Sequence, residues 1–126
     1  GTAIISLAGL INACIITKRK FEDLKVVSTG AGAASIASIE LLKKMGIPHN
    51  NIILSDSHGV IYEGRKEGMN PWKEKHAVKT DARTLSDAMK GADVLVGLSV
   101  KGAVTKEMVK SMAQNPIIFA LANPIP

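Results

Sequence analysis

The chain has 126 residues, enough to bury a real core and enough for one domain at most. Apolar residues make up 46% and charged residues 21%, the balance of an ordered globular chain rather than a disordered one. Aromatics at 3% speak against base-stacking platforms and aromatic sugar sites, and a net charge of +5 carried by scattered lysines lacks the basic stripe of a nucleic-acid surface.

The chain opens at Gly1-Thr2 with no initiating methionine and stops at Asn123-Pro124-Ile125-Pro126, just after a strand-like run. Both ends read as cut, so residues 1–126 are expected to be one domain of a larger protein. Residues 2–17 are apolar on nearly all sides, with Ser6, Gly9 and Asn12 as a narrow small-polar stripe. As a helix this run would rise about 24 Å, short of the roughly 30 Å needed to cross a bilayer. Its basic residues, Lys18-Arg19-Lys20, follow it, whereas a signal peptide wants them ahead. The expectation is a core helix whose basic end complements its dipole, with no membrane partner. Cys14, the sole cysteine, lies inside this run; no disulfide can form within the chain, which fits a reducing cytoplasm.

Lys25 to Ser35 reads K-V-V-S-T-G-A-G-A-A-S. Val26 and Val27 begin a buried strand, Gly30 and Gly32 break it, and a helical pattern then runs to Lys44 or Met45. A strand that breaks at a tight glycine turn and opens into a helix is the phosphate-binding corner of a dinucleotide fold. Gly30 allows the turn, Gly32 lets the backbone approach a pyrophosphate, and the helix start offers unpaired N–H groups at a positive dipole end. Ser35 stands at the third glycine position, where a small residue suffices for the helix to pack on the strand. A connection of the same shape that binds nothing is the competing reading.

Ile36, Ile39, Leu41 and Leu42 give that helix its buried face, Gly46 can stop it, and Pro48 bars its continuation. Asn51 to Ser55 is a second strand ending at Asp56, which completes a β-α-β unit. From Ser57 to Asp81 the pattern dissolves into a polar segment with one short apolar piece, Val60 to Tyr62; a loop of this length in a compact domain is functional or an insertion. Thr84-Leu85-Ser86-Asp87 resembles a capping-box start, with a short helix ending at Gly91. Asp93 to Leu98 is a third strand, Thr105 caps a helix over residues 106–113, and Ile117 to Leu121 is a fourth strand.

Alternating strands and helices predict an α/β, Rossmann-like doubly wound fold, a mainly parallel sheet with helices on both faces. Right-handed crossovers place the 93–98 strand beside the first strand, away from the second. The crevice between them is the switch point where ligands bind. The Gly30 turn, the Gly97-Leu98-Ser99 strand end and Asn123 all converge there.

Asp56 follows Gly30 at close to the usual spacing for a carboxylate that accepts the adenosine ribose hydroxyls and repels a 2′-phosphate. Asp-Ser-His-Gly is equally good turn chemistry. Of Arg65, Lys66, Lys73 and Lys75, any that folds over the adenosine could neutralise a 2′-phosphate, although each taken alone reads as exposed. His49, His58 and His76 have no metal-ligand spacing and read as residues of polar loops. Asn123-Pro124 is either an amide that holds a carboxylate or carboxamide, or a simple turn.

Taken together, G-T-A-I-I-S-L-A-G-L, G-A-G-A-A-S-I-A, D-S-H-G-V-I-Y-E-G-R and P-I-I-F-A-L-A-N-P resemble the malic enzyme family, its bacterial members above all. The likeness covers essentially the whole chain. D-x-x-G-x-[IV]-x-x-G-R and F-A-L-[AS]-N-P are far more specific than the glycine turn. The resemblance implies oxidative decarboxylation of malate to pyruvate and carbon dioxide with NAD or NADP and a divalent Mg or Mn ion. It implies that Thr2, Gly30, Ala31, Gly32, Ala33, Ala34, Asp56, Leu98 and Ser99 line the dinucleotide, and that Asn123 reaches the nicotinamide ribose or the substrate. In relatives a basic residue of the long loop discriminates for NADP, and Lys73 falls at that place; Asp56 pulls the other way, leaving a lean to NADP.

The family's general-base lysine, tyrosine acid and metal carboxylates belong upstream of Gly1, and its further asparagine downstream of Pro126. This chain is therefore expected to hold no catalytic residue and no metal ligand, and to bind cofactor without turnover. The remaining domains, a homo-oligomeric cytoplasmic enzyme and no nucleic-acid partner complete the expectation. The alternatives are a Rossmann domain of another amino-acid-dehydrogenase-like oxidoreductase, against which the Asp56–Arg65 motif argues, and a non-catalytic nucleotide-binding module.

Overall fold

The computed structural model describes Lys18 and residues 20–98, 104–114 and 116–121. The expectations for residues 2–17, Cys14, Thr2, Ser99 and Asn123 fall outside these. The described strands are β1 (Val26–Ser28), β2 (Ile52–Asp56), β3 (Gly59–Val60), β4 (Val94–Leu98) and β5 (Ile117–Leu121). The helices are α1 (Ala33–Lys44), α2 (Pro71–His76), α3 (Leu85–Met89) and α4 (Lys106–Ser111).

The five strands form one sheet in the order β3-β2-β1-β4-β5. β1 runs parallel to both β2 and β4, and β4 parallel to β5, so β4 takes the place that right-handed crossovers require. Strand periodicity divides the core between the faces. Val26, Ile52, Leu54, Val94 and Val96 pack on one side with Ile36, Ile39 and Leu42 of α1. Val27 and Leu95 point to the other, where Ala88 and Met89 of α3 and Met112 beyond α4 cover them. Each fully buried Ile or Leu in these layers stabilises the fold by about 2–3 kcal/mol.

The start and stop signals are local. Thr84 closes a full capping box with Asp87 at α3, and the Thr105 hydroxyl accepts from the Met108 N–H at α4.

The structure corrects the reading of the 57–81 segment as patternless loop. β3 pairs antiparallel with β2 through Ser55–Val60 and Asp56–Gly59, Tyr62 bridges to Val78, and Val60 and Ile61 are buried. Gly59 makes the hairpin possible. Its φ of +98° lies in the left-handed region, and a Cβ there would run into the Arg83 carbonyl oxygen. α2 follows, with Asn70 as its N-cap and Pro71 in its first turn.

Candidate dinucleotide site

β1 is buried at all three positions and ends at the glycine corner. The Ser28 hydroxyl donates to the Gly30 carbonyl at 2.8 Å and fixes the turn. Gly32 is the N-cap of α1, with φ −79° and ψ 179°; no side chain caps the helix and its first turn holds no acidic residue. Among the described residues, a Cβ on Gly32 would meet nothing within 4 Å. The space before the helix start is therefore open, and the first-turn N–H groups of Ala33 and Ala34 face it without a capping side chain, a ready seat for an anion. Ser35 is fully buried and, among the described residues, its hydroxyl has no partner. That position is set by close helix–strand packing.

A cleft of about 510 Å³ lies at the carboxyl ends of β1 and β2, lined by Thr29, Ser55 to Gly59, Arg83, Thr84 and Leu85. Its size suits a small-molecule ligand. Asp56 stands on its wall, and both carboxylate oxygens are taken. Oδ1 accepts from the His58 N–H at 2.9 Å and from Arg65 Nη1 at 2.8 Å. Oδ2 accepts from Arg65 Nη2 at 2.5 Å and from Lys73 Nζ at 2.9 Å. Two acceptances per oxygen fill a carboxylate, so in this state Asp56 has no lone pair left for ribose hydroxyls.

The side chains of Asp56, Arg65 and Lys73 are 10%, 5% and 18% exposed. The reading of Arg65 and Lys73 as exposed residues is thus corrected; Lys66 is exposed, and so is Lys75, which only approaches Glu40 at 3.8 Å. Burial alone would raise the Asp56 carboxyl, but hydrogen bonds from Arg65, Lys73 and the His58 N–H outweigh it and hold the group well below the usual carboxylate range. Two cations against one carboxylate leave this corner with a net positive charge. Arg65 is consumed by structure, since it also donates to the carbonyls of Gly59 and Val60. Lys73 Nζ donates to Asp56 and to the Gly68 carbonyl, which commits two of its three protons.

Leu98 ends β4 at the same edge of the sheet as the corner. The reading of all three histidines as residues of polar loops is corrected for His76, which is 1% exposed and closes α2. Sequence reasoning missed Arg83, which lines the cleft and lies over the Tyr62 ring at 3.7 Å. Nothing local marks it, because its partner is far along the chain. Arg65 was findable: it is the last residue of the D-x-x-G-x-[IV]-x-x-G-R motif, and the Gly59 hairpin turns it back onto Asp56. Among the described residues, no group of three or more His, Cys, Asp and Glu side chains could hold a metal ion, and no helix is long and apolar enough to cross a membrane.

A mainly parallel doubly wound sheet with an uncapped helix after its first strand and a cleft beside that turn defines a dinucleotide-binding domain. Residues 1–126 match the family model described as malic enzyme, NAD binding domain, and the chain belongs to that family. It is 60% identical over 126 residues to the NADP-dependent malic enzyme of Rhizobium meliloti, covering all of this chain and 17% of that protein. Among solved structures, the malic enzyme of Entamoeba histolytica superposes with a TM-score of 0.84 at 31% identity, over 99% of this chain and 28% of the other. The NAD-dependent malic enzyme of Thermotoga maritima gives 0.84 at 32% identity, over 99% and 34%. The chain thus spans only a small part of the length of the relatives it matches.

Proposed function

We propose that this chain is the cofactor-binding domain of a malic enzyme that oxidatively decarboxylates malate to pyruvate and carbon dioxide. The observation that carries the reading is that the uncapped α1 start follows β1 while Asp56 ends the neighbouring β2, with a cleft lined by Thr29 and Asp56 at the carboxyl ends of the two strands. In this reading Gly30, Ala31, Gly32, Ala33 and Ala34 take the pyrophosphate, and Asp56 sits at the adenosine ribose. Thr2, Leu98, Ser99 and Asn123 complete the site towards the nicotinamide, with Asn123 also reaching the substrate. When bound, the cofactor supplies a hydride acceptor for C2 of malate, and a divalent Mg or Mn ion held outside this chain supplies charge stabilisation for the decarboxylation. This chain's own residues bind and orient. Turnover needs groups from the rest of the enzyme, which we place in the cytoplasm as a homo-oligomer.

The preferred cofactor is NADP. Arg65 and Lys73 neutralise Asp56, which removes the repulsion that a free carboxylate would exert on a 2′-phosphate, and the remaining proton of Lys73 Nζ is available to it. The NADP dependence of the Rhizobium meliloti relative supports the same choice. Calorimetric titration of the intact protein with NAD and NADP, wild type against Lys73→Gln, tests this. Loss of a charged hydrogen bond should weaken NADP by roughly tenfold or more and leave NAD nearly unchanged. Equal effects on both cofactors would place Lys73 away from the 2′ position.

A further inference from the structure

A second polar cluster lies behind α2, at the face of α1, and the cofactor reading makes no use of it. Lys43, in the last turn of α1, places its Nζ 2.8 Å from His49 Nδ1 and 2.7 Å from His76 Nδ1. An ammonium can only donate, so both Nδ1 atoms accept and both rings carry their proton on Nε2. The far sides agree: His49 Nε2–H donates to the Ala77 carbonyl at 2.9 Å, and His76 Nε2–H faces Glu40 Oε1 at 3.4 Å. Two imidazoles, neutral in this arrangement, share one ammonium.

Three of these contacts, Lys43–His76, His49–Ala77 and His76–Glu40, join α1 or the turn after it to the C-terminal end of α2, and Lys43–His49 ties that turn to α1. α2 has six residues, too few to hold a helix by itself. Its position therefore depends on tertiary ties: these at its C-terminal end, the Lys73–Asp56 ion pair, and Ala77, which is buried in the core beside it. Lys73 lies one turn before His76 on the same helix. Whatever holds His76 against Lys43 also sets where the Lys73 ammonium meets Asp56.

We propose that Lys43, His49 and His76 are positioning residues for cofactor choice: they hold α2 on α1 so that Lys73 stands at the 2′ position, and acid loosens that hold. The inference rests on Lys73 reading the 2′-phosphate. Protonating His76 would turn its Nδ1 into a donor facing the Lys43 ammonium, with like charges in contact. Burial first, and then the charge of Lys43, hold the His76 imidazole below its ordinary value of 6.5. The charged groups acting on it are Glu40 and Lys43 from α1 and Lys75 from α2, with His49 on the other side of Lys43. Glu40 is the acid that favours a charged His76; it is 44% exposed, so its attraction is screened. Because His76 takes up a proton less readily folded than unfolded, its contribution is complete above about pH 6.5 and is lost progressively as the pH falls below that.

The test is calorimetric titration of the intact protein with NAD and NADP at about pH 7.5 and about pH 5.5, in wild type, Lys43→Met, His76→Phe and Lys73→Gln. At the higher pH, Lys43→Met and His76→Phe should each weaken NADP by roughly three- to tenfold and NAD by less than about twofold. Lys43 is half-exposed, so its variant should fold even if His76→Phe does not, and retained NAD binding reports an intact glycine corner. The 2′-phosphate itself gains a proton near pH 6, but this is common to all variants. The wild-type preference for NADP should therefore fall more steeply with acid than that of His76→Phe. Selective loss in Lys73→Gln with no loss, or equal loss of both cofactors, in Lys43→Met overturns the positioning role. Equal loss of both cofactors in Lys73→Gln instead overturns the reading of Lys73 on which it stands.

Discussion

The β1–α1 corner and the segment between β2 and α3 flank one cleft, yet they are built from different physics. The corner is apolar and small: Val26, Val27 and Ser28 are buried and laddered to neighbours on both sides, and what it offers a ligand is backbone. The segment has a two-residue strand, one bridge and a six-residue helix, held together by Asp56–Arg65–Lys73 and Lys43–His76. Backbone donors suit the pyrophosphate that NAD and NADP share. Side-chain charge suits the one phosphate by which they differ. On the proposed reading, the part that would bind is insulated from pH, and the part that would choose is held by groups that titrate.

The largest break in that contrast should come from Asp56→Ala. It removes the anion and leaves the Arg65 guanidinium buried, with a Nε that already has no partner among the described residues. Stranding one member of a buried ion pair costs about 3–5 kcal/mol, read as a lower denaturant midpoint at unchanged m-value. The wild type should show the same dependence through acid. The Asp56 carboxyl is held below its ordinary 3.8, so its contribution is complete above that value and is lost as the pH falls through and below it. A cost under about 1 kcal/mol would mean that the segment is held by apolar packing after all.

A substitution at the corner should do the reverse, changing binding and not stability. Gly32→Ser has room for its side chain, ordinary backbone angles and the best chemistry for an N-cap, so stability should hold or rise by about a few tenths of a kcal/mol. Its hydroxyl would accept from the first-turn N–H groups that a pyrophosphate needs. Both cofactors should then weaken alike, by roughly tenfold. A change confined to NADP would show that the corner also takes part in the choice, and the division of labour would fail.

The two regions were also unequally legible in the sequence. Strands β1, β2, β4 and β5, the place of β4 beside β1 and both threonine caps were readable because each depends on a few adjacent residues or a general crossover rule: a β-branched run, a glycine turn, a hydroxyl ahead of an apolar helix. α2 carried a start signal in Asn70-Pro71, but Gly68 just before it and the lack of an apolar period hid the helix. It is tied to α1 where His76 meets Lys43, residues 33 positions apart in sequence. The burial of Arg65 and Lys73 has the same origin, since charged residues in a glycine-rich segment read as solvated until a hairpin returns them to a carboxylate. The resemblance to malic enzymes assigned Asp56 and Lys73 to one expected site without revealing that they are bonded to each other.

Thr84→Ala tests how far the local rules reach. Thr84 closes the capping box of α3, accepting from the Asp87 N–H at 3.1 Å while Asp87 accepts from the Thr84 N–H at 3.2 Å. It also lines the cleft beside Asp56. Loss of the cap should cost about 1 kcal/mol, a small but measurable fall in the denaturant midpoint. α3 packs on the sheet face opposite α1, and the hydrogen bonds of its cap run among Arg83, Thr84 and Asp87. The ratio of NADP to NAD affinity should therefore stay where it is, even if both affinities slip slightly. A shift in that ratio would mean that the cleft wall near Thr84 reads the 2′ position as well, and that cofactor choice extends beyond the charged segment.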